Sequence, residues 1–80
     1  MKQQEIEIIL TEILIDKLAI SKTEISSEST MKELGADTLD EIEIIIELEQ
    51  KLGIAIPDEI MPGLQNIGTL CNSIEKEFEL

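Results

Sequence analysis

The chain reads LGADTLDEIEIIIELEQ from residue 34 to residue 50. This stretch contains a turn, a helix N-cap and a helical pattern of apolar residues, and the other elements of the fold can be placed relative to it. Asp37 is a favoured helix N-cap, because its carboxylate can accept a hydrogen bond from the backbone N–H of Asp40. Apolar residues then recur at helical spacing, which predicts an α-helix over about residues 38–52. The hydroxyl of Thr38 is therefore predicted to lie in the first turn of a helix.

The first turn of a helix is a favourable place for an anion. Its free backbone N–H groups and the helix dipole stabilise a negative charge beside them, so a phosphate ester on Thr38 would be well placed. Taken alone, the local pattern favours a simpler interpretation, in which the helix start is capped and Thr38 has no further role.

Length and composition indicate one small folded domain. Eighty residues suffice for a single domain, residues 1–80, which buries only about 60% of the surface that its unfolded form exposes. Apolar residues make up 42% of the chain, which is too many for a disordered acidic tail. They are mostly Ile and Leu, and Phe78 is the single aromatic residue, so we predict an aliphatic core.

The charge balance excludes several classes of function. The formal net charge is −12, from 18 acidic residues against six lysines. Binding of nucleic acid needs clustered Lys or Arg, so we expect no nucleic acid partner and instead a partner with a basic surface. The chain has no histidine and a single cysteine, Cys71, which leaves no nucleophile–base pair and no Cys-based zinc site. We therefore predict that the protein is not an enzyme and holds no metal.

No segment has the pattern of a signal peptide or of a membrane span. Apolar runs such as residues 44–46 are only three residues long, and the N-terminal segment is acidic from Glu5 onward. We expect a cytoplasmic monomer that does not insert into membranes.

Two further helices are predicted on either side of the central one. The first, over residues 2–19, rests on apolar residues at helical spacing: Ile6, Ile9, Leu10, Ile13, Leu14 and Leu18. The last, over residues 67–78, rests on Ile67, Leu70, Ile74 and Phe78, and Asn66 and Gln65 are the two candidates for its N-cap. Residues 21–32 are polar and predict a long loop, with Ile25 and Met31 as the anchors that hold it on the bundle.

The segment after the central helix is predicted to be short and irregular. Gly53 ends that helix, and residues 54–57 are expected to be extended and closed by a proline. Residues 58–63 are expected to form at most one helical turn, because Pro62 and Gly63 interrupt them. The predicted fold is all-α: a small up-and-down bundle with three main helices and one short, proline-interrupted fourth segment.

The central helix has more apolar surface than one core contact requires. Its core sector is Ile44, Ile45, Leu48 and Leu52, and its outer sector is Leu39, Ile42 and Ile46. The outer sector is interpreted as either the mouth of a ligand cavity or a surface for partners. Beside it lies an acidic stripe of Asp40, Glu43 and Glu47, which is either a solvated face or a docking surface. Like charges at this spacing cost about 0.2 to 0.5 kcal/mol per pair, which favours a functional reason for the stripe.

Two motifs at a fixed spacing identify a family resemblance. The run from Leu34 to Glu41, followed by Gly-Ile-Ala-Ile-Pro-Asp-Glu at residues 53–59, closely resembles the acyl carrier proteins, and the likeness covers nearly the whole chain. In that family the serine of an Asp-Ser-Leu triplet, at the start of the second helix, carries a 4′-phosphopantetheine arm whose thiol holds acyl chains as thioesters. Here the triplet is Asp37-Thr38-Leu39, so a threonine stands where the family has its attachment serine.

The resemblance implies a carrier function and a docking surface. Thr38 would be the attachment point of phosphopantetheine, with Asp37 and Leu39 completing the cofactor-binding motif. Phosphopantetheinyl transferase and acyl-handling enzymes with basic docking patches would be the partners, in fatty-acid or related lipid or polyketide synthesis. The partner-binding residues implied are Asp40, Glu41, Ile42, Glu43, Ile46, Glu47 and Asp58.

A second interpretation belongs to another class of function. The extra methyl group of Thr38 crowds its hydroxyl and restricts χ1, which disfavours loading. A carrier paralogue that is not loaded, or a variant held in the apo form, would keep the docking face and act as an acidic adaptor or regulatory protein.

Overall fold

Three α-helices and one 3₁₀ turn are the helical elements of the residues that the structure describes. In the computed structural model, which describes residues 2–57, 60 and 65–78, α1 spans Gln3–Leu18, α2 spans Thr38–Leu52 and α3 spans Ile67–Glu77, while the 3₁₀ turn is Lys22–Glu24. The all-α class and all three predicted helices are thus confirmed. The expected turn at residues 58–63 falls outside the described residues except for Ile60, which is buried.

The first helix is the element on which the other two pack. α1 contacts both α2 and α3, and it buries the apolar side chains of one face. The buried side chains are those that its periodicity predicted: Ile6, Leu10, Ile13 and Leu14, while Ile9 and Leu18 are partly buried against the core. Burying each such side chain contributes about 1.5 to 3 kcal/mol, so this one face is a major source of stability.

The core is aliphatic, as the composition predicts. It draws on all three helices and on the segments that connect them, and it contains no buried charged side chain among the residues the structure describes. Its fully buried members from outside α1 are Met31, Ile44, Leu48, Ile67, Leu70, Cys71 and Ile74.

The long loop between α1 and α2 is attached to the bundle by side chains and by backbone. Met31 is buried and Ile25 is partly buried against the core, which confirms both predicted anchors. The backbone N–H of Ile67 donates to the carbonyl of Ser29 at 2.8 Å, and an isolated β-bridge pairs Thr30 with Asn66. The loop therefore satisfies a backbone donor that the start of α3 would otherwise leave free.

The same attachment explains the glycine in the first turn of α3. The N–H of Gly68 donates to the carbonyl of Ser27 at 2.8 Å, so the two backbones lie very close together. A Cβ atom at position 68 would lie 3.1 Å from the Cβ of Ser27 and 3.2 Å from its carbonyl oxygen. Gly68 weakens the helix locally, but it permits the loop to approach.

The end of α2 is fixed by a glycine cap and a carboxylate. Gly53 adopts the left-handed conformation, with φ of 70°, and its N–H donates to the carbonyl of Glu49 at 2.8 Å. The side chain of Glu49 accepts a hydrogen bond from the N–H of Ile56 at 2.6 Å. This bond holds the segment after α2 against the bundle, where Ile56 is buried. None of the helices within the described ranges is long and apolar enough to cross a bilayer.

Candidate functional site at the start of the second helix

The first turn of α2 is held by a reciprocal pair of hydrogen bonds. The carboxylate of Asp37 accepts from the N–H of Asp40 at 2.8 Å, and the carboxylate of Asp40 accepts from the N–H of Asp37 at 3.1 Å. Asp37 has the extended backbone of an N-cap residue, as the sequence predicts. This capping box fixes where α2 begins and in which direction it runs.

The turn that precedes α2 brings Thr38 to the surface. Gly35 has φ of 100°, a conformation that side-chain-bearing residues rarely adopt, and Ala36 is buried immediately after it. The N–H of Ala36 donates to the carbonyl of Met31 at 3.0 Å, which closes the turn over a core residue. With Ala36 held inside, Thr38 is exposed as the first residue of the helix.

Thr38 has the surroundings that an esterified phosphate would need. Within the part of the chain that the structure describes, the backbone N–H groups of Thr38 and Leu39 have no protein acceptor. The carboxylates of Asp37 and Asp40 are directed to each other's backbone N–H, which leaves the donors of the first two residues available to an anion. The residues present therefore fit a phosphodiester at this hydroxyl.

The two apolar sectors of α2 have opposite environments. In the core sector Ile44 and Leu48 are fully buried, whereas in the outer sector Leu39 is 63% exposed, Ile42 52% and Ile46 47%. This confirms that only one sector faces the core. The outer sector therefore leaves three large apolar side chains of one helix exposed to solvent.

The acidic stripe contains three carboxylates in three different situations. Asp40 is part of the capping box, and Glu43 is exposed and makes no side-chain hydrogen bond or ion pair with any other described residue. Glu47 pairs with Lys17 of α1, with 3.9 Å between Nζ and Oε1. Sequence reasoning treated the three as equivalent and missed Lys17, because this pairing depends on how α1 packs against α2.

Of the two other acidic residues in the predicted partner surface, the structure describes Glu41 but not Asp58. Glu41 is half-buried on α2, next to the capping box. Asp58 falls outside the described residues, so its place in the partner surface stays a prediction.

Among the described residues, the other ionisable side chains form neither a metal site nor a reactive thiol site. No cluster of three or more potential metal ligands occurs among the described side chains. Burial, with a smaller effect from the charge of Glu7, raises the pKa of the Cys71 thiol to about 12, so this residue stays protonated at neutral pH.

A groove of about 650 Å³ is lined mainly by residues of α1, and no residue of α2 lines it. Its walls mix apolar, neutral polar and charged side chains: Gln4, Glu7, Ile8, Thr11, Glu12, Ile15, Lys22 and Ser27.

Comparison with known proteins identifies a family and several relatives to which this chain is similar. Residues 9–78 match a family described as "Phosphopantetheine attachment site". Three proteins described as "Acyl carrier protein", from Clostridium perfringens strains SM101, ATCC 13124 and 13, are each 42% identical to this chain over 71 residues. The aligned part covers 88% of this chain and 93% of each relative.

Proposed function

This chain belongs to the acyl carrier protein family, and on that premise we propose that it carries acyl groups as thioesters on a 4′-phosphopantetheine arm attached at Thr38. Members of the family are carriers and not enzymes, and 4′-phosphopantetheine is their prosthetic group, which supplies the thiol that holds the acyl chain. The observation that supports attachment at Thr38 is its exposed position at the capped start of α2.

Each residue of the motif has a distinct part in this proposal. The Thr38 hydroxyl is the atom that becomes esterified, and the free N–H groups of Thr38 and Leu39 would stabilise the resulting phosphodiester. Asp37 holds the turn in place through its bond to the N–H of Asp40. The exposed side chain of Leu39 offers an apolar contact next to the attachment point.

The docking surface is proposed to comprise the acidic stripe together with the outer sector. Carboxylates would orient a partner that carries Lys and Arg, and the exposed apolar side chains would add contact area. Phosphopantetheinyl transferase and acyl-handling enzymes of fatty-acid or related lipid or polyketide synthesis, acting in the cytoplasm, are the partners we propose. The residues involved are Asp40, Glu41, Ile42, Glu43, Ile46, Glu47 and Asp58. We propose one domain over residues 1–80, in keeping with the length of the chain, and a monomeric state, which the net charge of −12 supports because like-charged copies repel one another.

The attachment is tested by incubating the protein with coenzyme A and a phosphopantetheinyl transferase and measuring its intact mass. We expect one phosphopantetheinyl group on the wild-type chain and none on Thr38→Ala. Thr38→Ser should load faster, by up to about 10²-fold, because removing the methyl group eases alignment of the oxygen with the pyrophosphate.

The methyl group of Thr38 is the observation that favours the alternative function. If Thr38→Ser is loaded while the wild-type chain gains no mass after prolonged incubation, the attachment proposal is wrong. The chain would then be an acidic adaptor that keeps the docking face and has no arm. Mass measurement on protein purified from its own host would give the same answer under native conditions.

A further inference from the structure

We propose that Lys17 of α1 acts as an internal competitor for docking partners: it occupies Glu47 and thereby determines which part of the acidic stripe a partner can use. This inference rests on the proposed docking function of α2. It assigns Lys17 as a specificity-determining residue although it lies on another helix.

The geometry of the pair suits exchange with a partner. Lys17 lies in the last turn of α1, and its Nζ is 3.9 Å from the Oε1 of Glu47. The two side chains are 33% and 30% exposed, so the pair lies at the surface where an incoming cation can reach it. It is the one ion pair within residues 2–57, 60 and 65–78. Exposed pairs of this kind are weak and easily broken.

Because of this ion pair, the carboxylates of the acidic stripe are not equally available to a partner. Close to Thr38, the carboxylate of Glu43 is exposed and makes no side-chain bond with any described residue, so a partner's cation meets it without competition. One turn further along, a cation must first displace Lys17 from Glu47. Docking is thereby concentrated on Glu43, at the end of the stripe nearer the attachment point.

Displacement of Lys17 also discriminates between kinds of partner. Exchanging one ammonium group for another gains little, whereas an arginine can bind the carboxylate of Glu47 through two parallel hydrogen bonds. The displaced lysine would remain close to the partner's basic patch and repel it, which penalises partners with broad positive surfaces. The surface therefore favours a partner that places an arginine opposite Glu47.

The test compares two variants that remove the same single positive charge. Lys17→Met eliminates the competitor, and Lys76→Met removes an exposed lysine from α3, which is not part of the docking surface. Binding to a purified phosphopantetheinyl transferase is measured by calorimetry without coenzyme A, so that no transfer occurs. We expect Lys17→Met to bind about twofold to fivefold more tightly than Lys76→Met.

A double-mutant cycle separates the effect of the Lys17–Glu47 pair from the effect of removing one positive charge. In a Glu47→Gln background, the difference in affinity between Lys17→Met and Lys76→Met should shrink, because the competition for Glu47 no longer exists and only repulsion by the nearby Lys17 charge remains. Circular dichroism checks that every variant keeps its helices. Equal affinities of Lys17→Met and Lys76→Met with Glu47 present would overturn the inference.

A further variant separates this inference from the proposal on which it rests. Glu43→Lys should weaken binding strongly if α2 is the docking surface. If Glu43→Lys weakens binding while Lys17→Met and Lys76→Met remain equal, only the role of Lys17 is wrong. If Glu43→Lys binds as tightly as the wild type, the docking surface itself is wrong.

Discussion

The buried position of Cys71 makes its thiol unreactive. Its side chain is fully buried on α3, and burial together with the charge of Glu7 raises its pKa to about 12. A thiol that stays protonated is a poor nucleophile, so Cys71 behaves as a small apolar residue in the core. The thiol that the carrier uses would come entirely from its prosthetic group.

The raised pKa of Cys71 predicts how stability depends on pH. The folded state holds the thiol neutral up to about pH 12, while the unfolded chain has the ordinary value of 9.0. The stabilisation is therefore complete below pH 9 and is lost as the pH rises from 9 towards 12. We expect the free energy of unfolding in urea to fall between about pH 8 and about pH 10.5, and to fall less in Cys71→Ala. An equal fall in both proteins would contradict the assignment of this pH dependence to Cys71.

At the scale of elements, α2 has two apolar sectors in different environments. Leu48 is fully buried and Ile46, two residues earlier, is 47% exposed. Single substitutions can therefore separate the structural role of this helix from its proposed docking role.

Truncating Leu48 should lower stability, whereas truncating Ile46 should weaken binding to partners. Leu48→Ala should lower the free energy of unfolding by about 2 to 5 kcal/mol, because it leaves a cavity in the core. Ile46→Ala should change stability by less than about 0.5 kcal/mol and weaken binding to partner enzymes instead. Urea unfolding and binding to a phosphopantetheinyl transferase measure the two effects. Loss of stability in Ile46→Ala, with binding unchanged, would contradict the assignment of the outer sector.

Most of the helical elements could be predicted from the sequence, because what defines them is local. The start of α2 follows from Asp37 and its bond to the N–H of Asp40, three residues away. The end of α2 follows from Gly53, whose left-handed conformation suits few other residues. Apolar spacing then identifies which face of each helix is buried.

The contacts that could not be predicted join segments far apart in the chain. The pairing of Lys17 with Glu47 and the approach of Ser27 to Gly68 both depend on the packing of complete elements. The bond from the N–H of Ile56 to Glu49 likewise depends on how the chain turns after α2. No periodicity or capping rule relates such positions, so the sequence indicated the acidic stripe of α2 but not the lysine that pairs with one of its carboxylates.

At the scale of the whole molecule, stability is opposed by an excess of negative charge. The net charge is −12, and only one of the six lysines forms an ion pair within the described ranges. Repulsion among the carboxylates is felt in the compact state more than in the unfolded chain.

Salt should therefore stabilise the fold. Raising the ionic strength from about 0.01 M to about 0.15 M shortens the Debye length from about 30 Å to about 8 Å. We expect the melting temperature to rise, by about 4 to 8 °C for each kcal/mol of repulsion that is screened. The double variant Glu12→Gln/Glu77→Gln, which removes two exposed charges outside α2, should show a higher melting temperature at low salt and a smaller response. A melting temperature that falls with added salt would contradict this view.

The contact between the loop and the start of α3 restricts how the chain can evolve. Because a Cβ atom at position 68 would lie 3.1 Å from the Cβ of Ser27, a larger residue there requires the loop to give way by a few tenths of an ångström. A lineage is therefore expected to acquire such a residue together with a change in the loop around position 27. Descendants that have kept the loop in place should still have glycine at position 68, however far the rest of α3 has diverged.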